Sequence, residues 1–419
     1  MSEPHRSRRH VVFTREGLSF VAILSFVVVG SILRQINLLV MLASMMIPAL
    51  LFNWRLAVAL LRRIRVRHVL PEWIFAGQTS VIELAVQNDS RRFTAWHVRL
   101  TDSIQRIAPQ PERRPPRQVD VSAIAIEPDG SAHVSYRCFF AQRGVYRFGP
   151  IKVACQYPFG LVRAWFLQRD SGELHVAPRL GELKPTWNKR LGALAAGMAS
   201  AERRRGWLPD EFFGLRQWQV GDSQRWIHWR STAKRGQLMV RQFDQPTDRD
   251  FALLLDLWAP PTEDGQLFHE VELGASFVAT VLAQLNYSIH GRVAIAVCGL
   301  RGALFTNQVS GEFVGSVMQE LATALPASDV DVRPFVGQLA VNVSPGTPLI
   351  VATTRTPSQI AAMRERWAGL GSDEGWESSV LWIPIGSPEF VELFTAPAEL
   401  NFEGMPVGNT QVVAATSEE

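Results

Sequence analysis

The stretch Phe251-Ala252-Leu253-Leu254-Leu255-Asp256-Leu257 is apolar at every position but its sixth. A strand with one wet face would alternate, so this run reads as a strand covered on both faces. The next segment has a different period. Leu267, Val271, Gly274, Val278, Val281 and Leu285 recur at three- and four-residue steps, which predicts an amphipathic helix. Residues 292–299 repeat the buried-strand pattern. Glu312 to Leu325 reads as helix, 347–354 as strand, Pro357 to Leu370 as helix and 380–384 as strand. Buried strands alternating with helices predict an open, mostly parallel α/β sheet over 251–395. The tail, 396–419, has weak periodicity and is expected to be flexible.

Upstream, from 65 to 180, the period is two. Residues 79–87, 96–100, 132–139 and 145–155 alternate apolar with polar. Turn residues such as Pro128-Asp129-Gly130 and Gly149-Pro150 punctuate them. This predicts an all-β sandwich of about seven strands.

The first segment belongs to another solvent. Gly17 to Leu33 is uncharged, and after Arg34 a second uncharged run goes from Leu38 to Trp54, staying apolar past Arg55 to Leu61. A hydrocarbon core of about 30 Å takes about 20 helical residues. Residues 17–61 therefore read as a two-helix transmembrane hairpin behind a basic N-terminus, 1–16. Trp54 suits the interface, and Pro48 is tolerated in a membrane helix. Arg6, Arg8, Arg9 and Arg15 precede the hairpin, Arg62, Arg63, Arg65 and Arg67 come after it, and its connection carries only Arg34. By the positive-inside rule both ends face the cytoplasm, and the soluble body with them.

Composition removes several classes of function. The chain has 47% hydrophobic and 20% charged residues over 419 positions, which is globular with a membrane contribution. The net charge of +4 comes with no nucleic-acid-binding motif, so nucleic acid is not an expected partner. There is no GxxxxGK[ST], no GxGxxG after a strand and no GxSxG. Cys138, Cys155 and Cys298 lack metal-ligand spacing and lie in strand-like surroundings, where buried reduced thiols are expected. A Cys138–Cys155 disulfide stays open, though a reducing compartment disfavours it.

Asp256 ends its strand where open α/β sheets bind ligands. An Asp-x-Ser-x-Ser strand end there holds Mg²⁺ through short oxygen side chains. Here the register gives Asp256, Trp258 and Pro260, so two of three oxygens are missing. No metal or other cofactor is expected, and Asp256 reads as a degenerate remnant. Cysteine-based catalysis by Cys138 or Cys155 with His133 or His228 has only the presence of those residue types behind it. No catalytic residue is assigned.

The richest run lies between, in a segment 181–250 that joins the two domains. It carries Arg216, Trp218, Gly221, Asp222, Arg225, Trp226, Ile227, Trp229, Arg230 and Lys234. Arginines can pair carboxylates, tryptophans give rigid apolar area, and Gly-Asp sets a turn. Such a run either glues two domains together or docks a partner.

These residues resemble the bacterial membrane-protein family known as domain of unknown function 58. Its hallmark is Arg-x-Tyr-x-x-Gly-Asp-x-x-Arg-x-Ile-x-Trp-x-x-(Ser/Thr)-Ala-(Arg/Lys), then Leu-x-Val-Arg-x-(Phe/Tyr). The chain supplies Arg216, Gly221, Asp222, Arg225, Ile227, Trp229, Thr232, Ala233 and Lys234, then Leu238, Val240, Arg241 and Phe243. Trp218 stands where Tyr is usual and lacks its hydroxyl. A second block of the family matches Arg143, Gly144, Tyr146, Gly149, Pro150, Pro158, Phe159, Gly160 and Leu161, with Tyr157 in place of Asp.

The resemblance implies a C-terminal domain similar to von Willebrand factor A modules, often with a degenerate metal site, and no established enzymatic activity. It also implies an association with MoxR-type AAA+ ATPases and transglutaminase-like membrane proteins. The expectation is a non-enzymatic scaffold in the bacterial inner membrane. The alternatives are a metal-dependent adhesion or sensing module using Asp256, and a cryptic hydrolase.

Overall fold

The computed structural model describes residues 9–112, 115–169, 171–187, 189–191, 211–218, 227–244, 250–260, 265–285, 291–344, 347–369 and 380–397. It divides into two compact units after Arg179. The tail read as flexible lies outside the described residues, apart from its first two positions.

The first unit opens with strand β1 (His10–Phe13), then helices α1 (Arg15–Arg34) and α2 (Asn37–Leu61). Both helices are long and apolar enough to cross a membrane. Their ends differ from the uncharged runs for local reasons. Thr14 caps α1, its hydroxyl accepting from the Gly17 N–H at 2.9 Å, so the helix starts two residues before the run. α2 continues to Leu61 because its last turns have a second task. Asn53, Ala57, Leu60 and Leu61 are buried at helical spacing, and the last three join the core of the β-region. The apolar stretch past Arg55 thus contributes to the core of the β-region.

Ten further strands complete this unit: β2 (Ile64–Val69), β3 (Trp73–Phe75), β4 (Thr79–Asn88), β5 (Ala95–Ala108), β6 (Arg117–Ile126), β7 (Ser131–Phe139), β8 (Gly144–Phe148), β9 (Ile151–Cys155), β10 (Val162–Gln168) and β11 (Gly172–Ala177). An eight-stranded sheet runs β1-β10-β9-β5-β8-β11-β3, with β6 also paired to β5. The second sheet is β2-β4-β7. Alternation points Ile82, Leu84 and Val86 of β4 and Val98 and Leu100 of β5 into one core. The eleven strands described exceed the expected seven; two of them gave no pattern, since β3 is too short for a period and β1 lies ahead of the hairpin. β1 pairs antiparallel with β10, Val12 opposite Arg163 and Phe13 opposite Val162.

One polar cluster ties the two sheets together. Asp102 on β5 is fully buried, and its Oδ2 accepts from His68 Nε2 at 2.8 Å and from the Tyr136 hydroxyl at 2.7 Å. β2 and β7 supply those donors from the opposite sheet. Burial and the neighbouring Asp102 carboxylate push the Tyr136 hydroxyl well above its usual range, so it stays a donor.

The second unit begins with three strands outside its main sheet, β12 (Glu182–Leu183), β13 (Glu211–Gln217) and β14 (Met239–Asp244). Its centre is a five-stranded sheet, β17-β16-β15-β18-β19. The strands are β15 (Phe251–Asp256), β16 (Arg292–Cys298), β17 (Ala303–Gln308), β18 (Leu349–Thr353) and β19 (Val380–Pro384). β15, β16, β18 and β19 are parallel, and β17 is an antiparallel edge. Every residue of β15 is buried. Helices Gly265–Leu285, Gly311–Thr323 and Pro357–Gly369 stand where the periodicity predicts them. β17 and the helix Arg333–Asn342 gave no sequence signal. The outer half of β17 is exposed, and only Val336 and Leu339 of that helix are buried.

Side chains divide between the two faces by parity. Ala252, Leu254, Ala294, Ala296, Leu349 and Val351 pack against Val336, Leu339, Met363 and Trp367. On the other face Gly274 lets the helix 265–285 approach closely: a Cβ there would stand 3.0 Å from Leu255 Cδ1 and 2.6 Å from Ile385 Cδ1.

Candidate functional site

The strand order of the second unit sets its switch point. The chain leaves β15 for β16 on one side and later returns to β18 on the other. The crevice beyond the carboxyl ends of β15 and β18 is where such sheets hold ligands. Asp256 and Thr353 are cross-strand neighbours there, and Cys298 is paired with Asp256 on the far side.

Asp256 is fully buried, and its cationic partner comes from this chain. Arg355 Nε donates to Asp256 Oδ2 at 2.7 Å, and the Thr353 hydroxyl donates to the same oxygen at 2.6 Å. The guanidinium is itself held: Nη2 donates to the Val330 carbonyl at 2.8 Å, and its carbon lies 5.3 Å from the centre of the Trp258 ring. Trp258 is fixed by its indole N–H on the Ser328 carbonyl at 2.9 Å. Burial raises the Asp256 carboxyl above its ordinary range, and the attraction of Arg355 with the two hydrogen bonds works against that rise. Oδ1 has no hydrogen-bond partner among the described residues. Cys298 beside it is buried, and its thiol is pushed far up by burial and by Asp256.

The residues do not fit the divalent cation that an intact Asp-x-Ser-x-Ser strand end would hold. An octahedral hard cation needs several oxygens. Here one carboxylate oxygen is already shared by a guanidinium and a hydroxyl, and Trp258 and Pro260 supply no side-chain oxygen. No group of three or more potential metal-ligating side chains occurs among the described residues. The metal pattern gives no hint of Arg355, because it asks only for oxygens near Thr353-Thr354. The cation that balances the buried Asp256 is the residue after Thr354, Arg355.

The signature run forms a small motif of its own. β13 pairs antiparallel with β14, Arg216 opposite Val240 and Leu215 opposite Arg241. Between them a short helix, α3 (Trp229–Arg235), ends at Gly236 in the left-handed region, φ 67°. Ile227 bridges Val240, and the Thr232 hydroxyl accepts from the Met239 N–H at 3.0 Å. Arg216, Trp218, Ile227, Trp229, Lys234 and Arg241 are thereby gathered on one ribbon and helix. Gly221, Asp222 and Arg225, with Trp226, lie outside the described residues. Val240 is buried and Ile227 half-buried, whereas Leu238 is exposed. Trp229 is 66% exposed. The Trp218 indole N–H is buried without an acceptor among the described residues.

The turn Phe159 to Leu161 builds the base of the helix pair. Gly160, at φ 70°, and Leu161 turn their carbonyls to the Thr14 hydroxyl, at 2.6 and 3.1 Å. From α2, Asn53 Oδ1 accepts from the N–H groups of Phe159 (3.1 Å) and Leu161 (3.4 Å). A Cβ on Gly17 would overlap the Leu161 carbonyl. One turn of the β-region is thus gripped by both helices.

The candidate thiol chemistry has no matching geometry. Cys138, Cys155 and Cys298 are buried and free. Burial pushes the Cys138 thiol up to about 11, far from a neutral-pH nucleophile. His133 lies on the opposite face of β7 from Cys138 and hydrogen-bonds Glu83. His228 caps α3, its Nδ1 accepting from the Ser231 N–H at 3.3 Å.

The chain therefore combines a β-rich unit carrying two apolar helices with an open α/β unit whose switch-point acid is paired internally. Over residues 214–342, from β13 to the end of the helix Arg333–Asn342, it matches the family described as protein of unknown function DUF58. No curated protein matches the sequence. Among solved structures, a CARDB domain from Pyrococcus furiosus is similar at 11% identity over 27% of this chain and 94% of that one, with a TM-score of 0.18. A β-glucosidase from Listeria innocua is similar at 12% identity over 28% of this chain and 16% of that one, with a TM-score of 0.19. The sporulation control protein Spo0M from Bacillus subtilis is similar at 10% identity over 38% of this chain and 58% of that one, with a TM-score of 0.16.

Proposed function

We propose that the chain is a non-enzymatic scaffold, anchored in the bacterial inner membrane by its helix pair with both units in the cytoplasm. Its α/β unit is read as von Willebrand A-like, and its partner as a MoxR-type AAA+ ATPase, with a transglutaminase-like membrane protein as a further member of the assembly. The observation that carries this reading is the Asp256–Arg355 pair. At the crevice where an open sheet would bind a ligand, Asp256 is buried, paired with the chain's own Arg355 guanidinium and roofed by Trp258. That arrangement favours a structural module over an enzyme or a cation-dependent adhesion module. The sheet order, with its first strand in the centre, supports the von Willebrand A-like reading.

Trp229 offers the partner an exposed aromatic anchor next to basic Arg230 and Lys234. The test is affinity purification of the full chain from native membranes, as wild type and as Trp229→Ala. An AAA+ ATPase should co-purify with the wild type and fall several-fold in the variant. If neither form brings down an ATPase, the scaffold reading in this form is wrong.

A further inference from the structure

A basic hollow on the outer face of the eight-stranded sheet plays no part in the scaffold reading. Its volume is about 670 Å³, within the size range of small-ligand sites. Alternation along β5, β9 and β10 turns Arg99, Lys152 and Arg163 to this face, away from the core. The register keeps them close: Thr101 lies opposite Lys152, while Arg99 is opposite Ala154, whose partner on β10 is Trp165. Two acids are nearby. Asp120 is engaged by the Thr101 hydroxyl at 2.5 Å, and Glu16 lies in the first turn of α1. With Arg15, the basic groups outnumber the acids by four to two.

A second hollow, of about 380 Å³, adjoins it and shares Lys152 and Arg163 as a common wall. Its other side is the end of β1 and the start of α1, from Val12 to Glu16. The cationic wall therefore stands at the point where the chain enters its first apolar helix. Exposed apolar side chains flank it: Val12 and Phe13 line the second hollow, and Phe159 lies between the lining residues Pro158 and Gly160. Lys152 Nζ lies 4.7 Å from the centre of the Trp165 ring, and the His10 ring stacks on the same indole at 4.3 Å. Gln156, with its amide oxygen turned to Arg163, accepts from the guanidinium and orients it.

We infer that Arg99, Lys152 and Arg163 hold the phosphate of an anionic phospholipid from the same bilayer that α1 and α2 cross, with its glycerol and acyl region against Phe13 and Phe159. Two guanidiniums and an ammonium match a phosphodiester's oxygens. The apolar rim matches the interface beside it. This site rests on the membrane-anchor reading.

The test uses the full chain in detergent, titrated with phosphatidylglycerol or phosphatidylcholine and read by native mass spectrometry. A saturable phosphatidylglycerol adduct is expected, tighter than the phosphatidylcholine one and undisturbed by a large excess of inorganic phosphate or glycerol phosphate. In the triple variant Arg99→Gln/Lys152→Gln/Arg163→Gln that affinity should drop on the order of a hundred-fold. Arg163→Lys, which keeps the charge, should retain most of it. The single variant Arg99→Gln, at an exposed side chain, gives the same direction should the triple variant not fold. Equal binding of both lipids, unchanged binding by the variants, or displacement by phosphate would each overturn the lipid site. Alkaline carbonate extraction run in parallel separates the two readings. A chain released from the membrane removes the anchor and the site together, and a chain retained without lipid preference removes the site alone.

Discussion

Arg355 decides the chemistry of the switch point. A buried carboxylate stripped of its partner is left uncompensated, so Arg355→Met should destabilise the second unit by about 3–5 kcal/mol in denaturant unfolding. Adding Asp256→Asn should recover much of that loss, since the amide needs no counter-cation. The pH dependence has a definite sign. Asp256's folded carboxyl is raised above its unfolded value, so the stability it contributes is present at low pH and lost as pH rises through the raised value. Without Arg355 that rise grows, and the variant should regain stability on acidification. A flat pH profile would mean that Arg355 does not control Asp256. The sequence displayed the acid at a strand end and the wrong residues for a metal, but a side chain ninety-nine positions away had no periodicity to announce it.

At the scale of elements, α2 is buried at its last turns and exposed along much of its earlier length. Leu60 is buried in the β-core, whereas Leu42, well inside the apolar span, is exposed. In the purified chain Leu60→Ala should cost about 2–5 kcal/mol of the first unit's stability and Leu42→Ala little. Asn53→Ala should cost about 1–3 kcal/mol by leaving the Phe159 and Leu161 N–H groups without their acceptor. Thermal unfolding of the three variants in detergent checks the order. Hydropathy showed the length of α2 but not where its burial in the β-core begins, because Leu is equally apolar in either setting. The buried strands and amphipathic helices of the second unit were legible for the opposite reason, as their apolar periods differ. β17 carried no such period and stayed hidden.

At the scale of the whole molecule, each unit has its own core, one centred on the two β-sheets and one on the parallel sheet. Calorimetry should therefore resolve two transitions. Leu60→Ala should lower only the first unit's, and Arg355→Met only the second's; a single transition moved by both would show that the units unfold as one.

The pairing of β1 with β10 adds a check on biogenesis. About 150 residues of chain separate the two strands, so on the membrane-anchor reading the N-terminal arm waits, unpaired, while the helices insert and the β-region is synthesised. If both helices cross, the arm and β10 end up on the same side and the sheet can close. If only one crosses, the bilayer lies between them and an edge of β10 stays open. Completion of that sheet thus counts the crossings, and a chain with an odd number is left with an unpaired strand edge for quality control to find.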